Sequence, residues 1–293
     1  MSVQRCVNCL QFIGPLERAA EIPLMKNRSE SNGAPGVANE RAVARGTQPE
    51  GSRDEQDAAA RVREMFSRIA PRYDFLNHFL SASFDKRWRA KTAQRFTGIL
   101  SRADACVLDL CCGTGDLAFA FTKKTARPAD SGVGGVFGGD FSLPMLDLAS
   151  HKNAARQAQV MFLAADALAL PFEDGSFDLA ATAFGFRNLA NYESGLREMH
   201  RVLRPGGQLG ILEFCEPRSG VLAALFRYYF TRILPRIGGA ISGSGEAYSY
   251  LPGSVQKFPH PETLKTWIEA ARFKDVSYER WTFGAVALHR ATR

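Results

Sequence analysis

Short apolar runs alternate with helical patterns along the chain after about residue 55. Each run is bounded by glycine, proline or aspartate, which is typical of buried strands closed by turns. The predicted strands are Cys106–Leu110, 133–139, Val160–Ala164, Phe177–Ala183 and 207–214. The helices predicted between and after them run from the glycine loop to about 124, over 142–158, over 191–203 and over 221–234.

Two further runs near the C-terminus, 275–281 and 285–289, are separated by Thr-Phe-Gly and predict a hairpin. Repeated strand-helix units followed by a hairpin indicate an α/β protein with a doubly wound, mainly parallel sheet of seven strands. Residues 235–273 are too many for an ordinary connection, so we expect an insertion near the substrate site.

The N-terminal part of the chain has a different composition. Phe12 is the only aromatic residue before residue 60, and the segment is rich in Gly, Ser, Asn and Pro. Such a segment buries too little surface to offset its ordering entropy, so we predict a disordered extension over 1–55 and a domain over 56–293. A helix is expected from Asp54, and its apolar stripe suits either packing on the domain or a lid. The stripe consists of Val62, Met65, Phe66 and Ile69.

Composition and charge exclude several classes of protein. The 293 residues are 45% hydrophobic and 23% charged, which excludes disorder throughout. The longest lipophilic stretch, 221–237, is interrupted by arginines and a proline, so no membrane span is predicted. The net charge of +7 suits an anionic cofactor or an acidic lipid surface. Nucleic acid is disfavoured because no basic block with interleaved aromatic residues appears, and a homodimer is left open.

Cysteine usage predicts neither a disulfide framework nor a metal site. Cys6 and Cys9 form a CxxC pair, but no second pair follows to complete a zinc site. We therefore expect no metal and a reducing, cytoplasmic compartment.

A glycine-rich loop follows the first predicted strand and opens a helix. Gly113 and Gly115 let the backbone approach a ligand, and helix N–H groups point towards it. The spacing Gly113-x-Gly115-x-x-Ala118 also satisfies the relaxed dinucleotide fingerprint. The loop alone does not distinguish an NAD-type dinucleotide from another nucleoside ligand.

Three acidic positions favour one ligand. Asp109 precedes the loop, where a carboxylate attracts a cationic group and repels a pyrophosphate. Asp140 ends the second strand and is placed to accept both ribose hydroxyls, and Asp166-Ala167 after the third strand suits an adenine amino group and ring. A nucleoside carrying positive charge, such as S-adenosylmethionine, satisfies all three better than NAD does.

These residues resemble the class I methyltransferases, and among them the ubiquinone/menaquinone biosynthesis C-methyltransferases. The resemblance covers about residues 60–291. It is carried by four segments: Tyr73-Asp74-Phe75-Leu76-Asn77 continuing to Trp88, Phe184-Gly185-Phe186-Arg187-Asn188, Arg201-Val202-Leu203-Arg204-Pro205-Gly206-Gly207, and Gly284-Ala285-Val286-Ala287-Leu288-His289. It implies a Rossmann-like fold with S-adenosylmethionine as methyl donor, held by Thr114, Asp140, Asp166 and Ala167 beside Asp109 and the loop glycines.

The resemblance also implies the reaction, which is methyl transfer to a ring carbon of a prenylated quinol. Demethylmenaquinol is the favoured acceptor and a benzoquinol precursor of ubiquinone is the alternative. Arg187, Asn188 and Tyr73 are the catalytic candidates: Arg187 would stabilise the phenolate oxygen, and Tyr73 would orient or relay the proton. For Arg187 a structural ion pair, and for Tyr73 helix packing, are equal alternatives.

Three interpretations of function remain at this point. The first is the quinol C-methyltransferase, the second is a methyltransferase for another small molecule, and the third is an NAD-type dinucleotide-binding protein. The long prenyl tail predicts contact with a membrane surface, for which 221–237 is the candidate segment.

Overall fold

The computed structural model describes residues 46–81, 83–125, 134–215, 228, 232, 250 and 253–293. The helices are α1 Glu55–Leu80, α2 Phe84–Arg95, α3 Thr97–Leu100, α4 Asp116–Thr122, α5 Leu143–Arg156, α6 Tyr192–Val202 and α7 Pro261–Ala270. The strands are β1 Cys106–Leu110, β2 Gly135–Asp140, β3 Val160–Ala164, β4 Phe177–Ala183, β5 Leu203–Phe214, β6 Lys274–Trp281 and β7 Val286–Thr292. The predicted helix over 221–234 lies outside the described residues, apart from 228 and 232.

The strands form one sheet in the order β3-β2-β1-β4-β5-β7-β6. β1 to β5 are parallel, and β7 is antiparallel to both β5 and β6. The predicted doubly wound sheet with a C-terminal antiparallel hairpin is therefore confirmed. The parallel strands all end at one edge, which we call the carboxyl edge, and this edge carries the candidate site.

Helices cover both faces of the sheet because neighbouring residues of the central strands point to opposite sides. On one face Val107 of β1 packs with Phe96 and Phe121, next to α2 and α4. On the other face Leu108 packs in a cluster that includes Met199 of α6 and Ile268 of α7. Both layers are buried, so the sheet is a rigid support for the loops at its carboxyl edge.

Helix α1 lies across the loops that follow β1 and β2. Val62 and Ala70 are buried, and Ser67 Oγ is 2.9 Å from Ser142 Oγ, just after β2. Its apolar stripe therefore packs on the domain, which was one of the two alternatives. The packing fixes the position of Tyr73 and Asp74, one turn further along.

The expected N-terminal extension, 1–55, lies mostly outside the described residues. Its last part, 46–55, is described and contacts the domain: Thr47 N–H donates to Leu189 O at 2.8 Å, and Asn191 Nδ2 donates to Glu55 at 3.0 Å. The chain thus joins the domain before the expected boundary.

The expected insertion over 235–273 contains a core helix. α7 buries Leu264 and Ile268, and Pro261 O accepts a hydrogen bond of 2.8 Å from the buried His289. Tyr250, further upstream, reaches the carboxyl edge, as described below. Among the described residues, no helix has the length and apolar character needed to cross a bilayer.

Candidate functional site

Most of the chemistry-bearing residues predicted from the sequence lie at the carboxyl ends of β1 to β4 or in the loops that follow them, whereas Tyr73 lies in α1. In a parallel sheet these strand ends share one edge, which is where doubly wound sheets bind ligands. The structure therefore places the predicted donor residues on the same edge as Arg187 and Asn188.

The glycine loop between β1 and α4 requires its glycines for different reasons. Gly113 has φ 54° and its N–H donates to Asp140 Oδ2 at 2.8 Å. Gly115 has φ 85° and caps α4, and a Cβ at this position would lie 2.6 Å from the Phe162 ring. A side chain at Gly115 would therefore strain the backbone and displace an aromatic ring.

Asp109 is buried behind the glycine loop, and only one of its two carboxyl oxygens is hydrogen-bonded to the described residues. Its Oδ2 accepts from Ala118 N–H at 2.8 Å, while Oδ1 has no hydrogen-bond partner in the described part of the chain. Burial raises the pKa of Asp109 to about 8, against the opposing effect of the Ala118 bond. A positive charge placed beside it would lower that pKa again and restore the carboxylate.

Asp140 organises the end of β2. Its two oxygens accept from Gly113 N–H at 2.8 Å and from Ser142 N–H at 2.9 Å. Burial raises its pKa to about 6, although the backbone donors oppose the shift. The Phe141 N–H is a third backbone donor to this carboxylate. An ionised carboxylate offers about four acceptor positions, so one remains for a further donor such as a ribose hydroxyl.

Thr114 is held by helix α1. Its side chain donates to Asp74 and accepts from Lys152 Nζ at 3.0 Å, and the residue is 2% exposed. Lys152 also bonds Asp74 at 2.8 Å and Asp116 at 2.7 Å. The predicted donor contact at Thr114 therefore lies under an ionic link between α1, α4 and α5.

Asp166 and Ala167 follow β3 as predicted. Asp166 is exposed and its Oδ1 accepts from Leu168 N–H at 2.9 Å, which closes a tight turn. Ala167 is buried in the core. The second carboxylate oxygen of Asp166 remains available on the surface of this loop.

Arg187 lies in the short 3-10 turn Phe186–Asn188 after β4, and it forms a buried ion pair. Its Nη1 is 3.0 Å from Glu213 Oε2 and also donates to Phe184 O. Arg187 N–H donates to the other Glu213 oxygen at 3.1 Å. Burial works against the charge of Arg187, but Glu213 outweighs it and raises the pKa of Arg187. The structural ion pair, one of the two alternatives, is thus present, and Arg187 is a permanent cation at the site.

A hydrogen-bonded chain joins Asn188 to two residues that the sequence did not identify. Tyr250 Oη donates to Asn188 Oδ1 at 3.1 Å and lies 3.0 Å from Thr47 Oγ1. Burial raises the pKa of Tyr250, so it is protonated at neutral pH. These contacts span 62 and 203 residues of sequence, and the only signal for Tyr250 was its place in the expected insertion.

Tyr73 connects the donor side to the catalytic side. Its Cε1 would lie 3.7 Å from a Cβ at Gly113, and the charges of Arg187 and Asp140 both act on its hydroxyl. Burial, the largest effect, raises the pKa of Tyr73. It is therefore a hydrogen-bond donor at neutral pH and not a base.

Within the part of the chain that the structure describes, one cluster between the end of α1 and the starts of α2 and α4 offers three side chains that could ligate a cation. His78, Asp85 and Asp116 offer ligand atoms within 4.8 Å of one another. Asp85 already pairs with Arg89, and Asp116 with Lys152, so the protein's own cations occupy these carboxylates. Burial alone would raise the pKa of Asp85, but Arg89 and bonds from Ser81 and His78 lower it. The cluster is a salt-bridge network.

A histidine is a common general base, but two histidines of this chain have structural roles. His260, in the expected insertion, is exposed and caps α7 by accepting from Glu262 N–H at 3.3 Å. His289 is buried, and burial lowers its pKa to about 4. Neither lies in the loops at the carboxyl edge of β1 to β4.

The donor side of this site suits S-adenosylmethionine. The Asp109 oxygen that has no partner in the described part of the chain favours a positive charge, and Asp140 retains an acceptor position at the end of β2. A pyrophosphate would instead meet two buried acids, which argues against a dinucleotide. The backbone of Gly113 is open to this space, since among the described residues only Tyr73 lies near the position that a Cβ would take.

The strand order and the glycine loop at its centre define an S-adenosylmethionine-dependent methyltransferase fold. A solved methyltransferase from Thermotoga maritima, described as a possible histamine N-methyltransferase, shares it with a TM-score of 0.51 and 18% identity, covering 79% of this chain and 99% of that one. At this identity the likeness concerns the fold alone.

Residues 53–293 match the ubiE/COQ5 methyltransferase family, and the chain belongs to that family. A demethylmenaquinone methyltransferase of Thermus thermophilus is 51% identical over 78% of this chain and 100% of its own length. A demethylmenaquinone methyltransferase of Deinococcus radiodurans is 45% identical over 80% of this chain and 93% of its own. The predicted family and enzyme class are confirmed, with S-adenosylmethionine as methyl donor.

Proposed function

We propose that this methyltransferase transfers a methyl group to a ring carbon of a prenylated quinol, with demethylmenaquinol as substrate. The observation that carries the proposal is the buried Arg187–Glu213 pair, which holds a permanent cation beside the donor loops. The names of the Thermus and Deinococcus relatives support demethylmenaquinol as the acceptor. A relative from Geobacter sulfurreducens, 41% identical, is named a ubiquinone/menaquinone biosynthesis C-methyltransferase, which keeps a benzoquinol as the alternative.

On the donor side, we assign binding to the residues at the ends of β1, β2 and β3. Asp109 faces the positive charge, Asp140 accepts from the ribose, and Asp166 with Ala167 borders the adenine. Gly113, Thr114 and Gly115 form the floor of this subsite. When bound, S-adenosylmethionine supplies an electrophilic methyl group on a positively charged sulfur.

On the acceptor side, the residues must make a ring carbon nucleophilic. A quinol carbon attacks readily only after the neighbouring hydroxyl loses its proton to water, which leaves negative charge on that oxygen. The carbon that accepts the methyl group then loses its own hydrogen to water as a proton, which restores the aromatic ring. Arg187 stabilises the negative charge on the oxygen because Glu213 holds the guanidinium in place and the buried position of the pair excludes water. Tyr73 and Asn188 donate hydrogen bonds that orient the ring, and Tyr250 fixes Asn188.

The substrate's tail also places the enzyme at a membrane surface. A polyprenyl chain remains in the bilayer, so we propose peripheral contact with the cytoplasmic face of the membrane.

The proposal is tested by incubating the purified protein with S-adenosylmethionine and one of two acceptors. The acceptors are demethylmenaquinol and a benzoquinol precursor of ubiquinone. Mass spectrometry should show one added methyl group on the naphthoquinol. Methylation of the benzoquinol alone would assign the alternative substrate, and methylation of neither would refute the proposed function.

A further inference from the structure

Two aromatic rings are exposed at the carboxyl edge, beside the candidate site. Phe283, in the turn between β6 and β7, is 77% exposed, and Phe84, the first residue of α2, is 39% exposed. The turn lies at this edge because Val286, at the start of β7, pairs with Phe214 at the end of β5.

The turn holds Phe283 outward in an unfavourable backbone conformation. Thr282 has φ 52° and Phe283 has φ 57°, in the left-handed region that glycine or asparagine normally occupies. A fold that needed only a tight turn here would be more stable with glycine at these positions. Strain retained at an exposed aromatic residue points to a role for its ring.

Positively charged side chains of α2 lie next to the aromatic rings at this edge. Arg87 is exposed and Lys91 is half-buried, and neither forms an ion pair with any described residue. The Arg87 guanidinium lies 5.5 Å from the Phe84 ring centre, and Lys91 Nζ lies 4.4 Å from that of Trp281. The acid of α2, Asp85, is buried and paired, so it does not offset this charge at the surface.

An aromatic cluster connects the exposed rings to the site. Trp88 stacks on Phe84 at 6.0 Å, and its Nε1 donates to Thr282 Oγ1 at 2.8 Å. The Trp88 ring centre is also 6.0 Å from that of Phe214, and Phe214 lies 5.6 Å from the Arg187 guanidinium carbon. The exposed rings therefore share one apolar layer with the residue that we assign to the acceptor.

We propose that Phe84, Arg87, Lys91 and Phe283 form a docking surface for an anionic lipid bilayer. The rings enter the headgroup layer while the cations contact lipid phosphates, a combination that binds interfaces through apolar burial and charge together. Bound in this way, the carboxyl edge faces the membrane that holds a prenylated acceptor. The purpose of the docking surface rests on the proposed function, whereas its affinity for lipid does not.

Co-sedimentation of the full chain with vesicles measures that affinity directly. Vesicles of phosphatidylcholine are compared with vesicles that also contain phosphatidylglycerol, and the wild-type protein should prefer the anionic ones. Each basic side chain near an anionic surface contributes about fivefold, so Arg87→Glu with Lys91→Glu, the α2 variant, should weaken binding at least about 25-fold. Phe283→Ser should weaken binding to both kinds of vesicle.

The matched control is Arg272→Glu with Lys274→Glu. These residues are exposed at the opposite end of β6, and the charge change is the same. The control should bind anionic vesicles as the wild type does. The proposal is overturned if the α2 variant binds anionic vesicles as tightly as the wild type does. It is also overturned if the wild type binds vesicles with and without phosphatidylglycerol equally. If the variants lose a dimer that the wild type forms but bind vesicles unchanged, the surface belongs to a contact with a second copy of the chain. That result would also overturn the lipid proposal.

An activity measurement separates this proposal from the proposed function. A short-tailed quinol in solution should be methylated equally by the wild type, the α2 variant and the control. A long-tailed quinol within anionic vesicles should be methylated more slowly by the α2 variant. A wild type that methylates neither quinol refutes the proposed function and leaves the vesicle result standing.

Discussion

Replacing Arg187 by alanine removes one half of a buried ion pair and leaves the other half inside the protein. Glu213 is 1% exposed, and its carboxylate accepts hydrogen bonds from both the guanidinium and the backbone N–H of Arg187. Breaking a buried pair from one side costs about 3–5 kcal/mol because the remaining charge is uncompensated. For a domain of this size each 1 kcal/mol lowers Tm by about 2–4 °C, so we expect a decrease of about 6–20 °C.

The loss should depend on pH. Burial already raises the pKa of Glu213, although Arg187 opposes the shift, and removing Arg187 raises it further. A carboxyl group whose pKa is higher in the folded than in the unfolded state stabilises the fold when protonated, and that contribution is lost as pH rises through the folded pKa. The Tm difference between Arg187→Ala and the wild type should therefore grow from about pH 5 to about pH 8.

The same variant separates structure from catalysis. S-adenosylmethionine should still bind, measured by calorimetry, because the donor residues follow other strands. Turnover should fall about 100-fold or more if the cation stabilises the phenolate.

Arg197→Ala is the control, since this arginine pairs with Glu193 on the exposed face of α6. Its cost should stay below about 1 kcal/mol. An unchanged Tm for Arg187→Ala at about pH 8 would refute the argument from buried charge. Undiminished turnover would remove Arg187 from the reaction.

Three further changes test the site. Asp109, whose pKa burial raises to about 8, should lose its proton when a cationic donor binds, so affinity for S-adenosylmethionine should rise from about pH 6 to about pH 9. Asp109→Asn should abolish this dependence, and a pH-independent wild-type affinity would contradict it. Tyr250→Phe removes the hydrogen bond to Asn188 and should lower kcat about tenfold with donor Kd unchanged, whereas an unaltered kcat would exclude a positioning role. Gly115→Ala places a Cβ 2.6 Å from the Phe162 ring at φ 85° and should weaken donor binding at least about tenfold, and normal binding would contradict the close approach.

The central strands could be predicted from the sequence because both faces of a parallel sheet are buried, which makes each strand a continuous apolar run. The bounds of β1, β3 and β4 coincide with the prediction. β5 begins at Leu203, earlier than predicted, since Leu203 pairs with Phe177 across a register shift. The prediction started later because the polar and glycine-rich residues at the start of the strand resemble a turn.

Elements held by polar contacts were harder to predict. α2 was not predicted because its sequence is mostly charged, and its inner face depends on the buried Asp85–Arg89 pair. Tyr250 and Thr47 were missed as site residues because their contacts join distant parts of the chain, which periodicity and motif spacing do not encode. The partner of Arg187 lies on the next strand, so the sequence left an ion pair and a catalytic role as equal alternatives.

Helix α1 places two adjacent residues at the proposed site. Tyr73 is near Gly113 and within the electrostatic range of Arg187, while Asp74 holds Thr114 and Lys152. If the proposed assignment is correct, the donor and acceptor subsites are both lined by this helix. Steady-state kinetics of a substitution in this part of α1 will show altered apparent KM values for donor and acceptor together, so neither value alone reports which molecule the side chain touches.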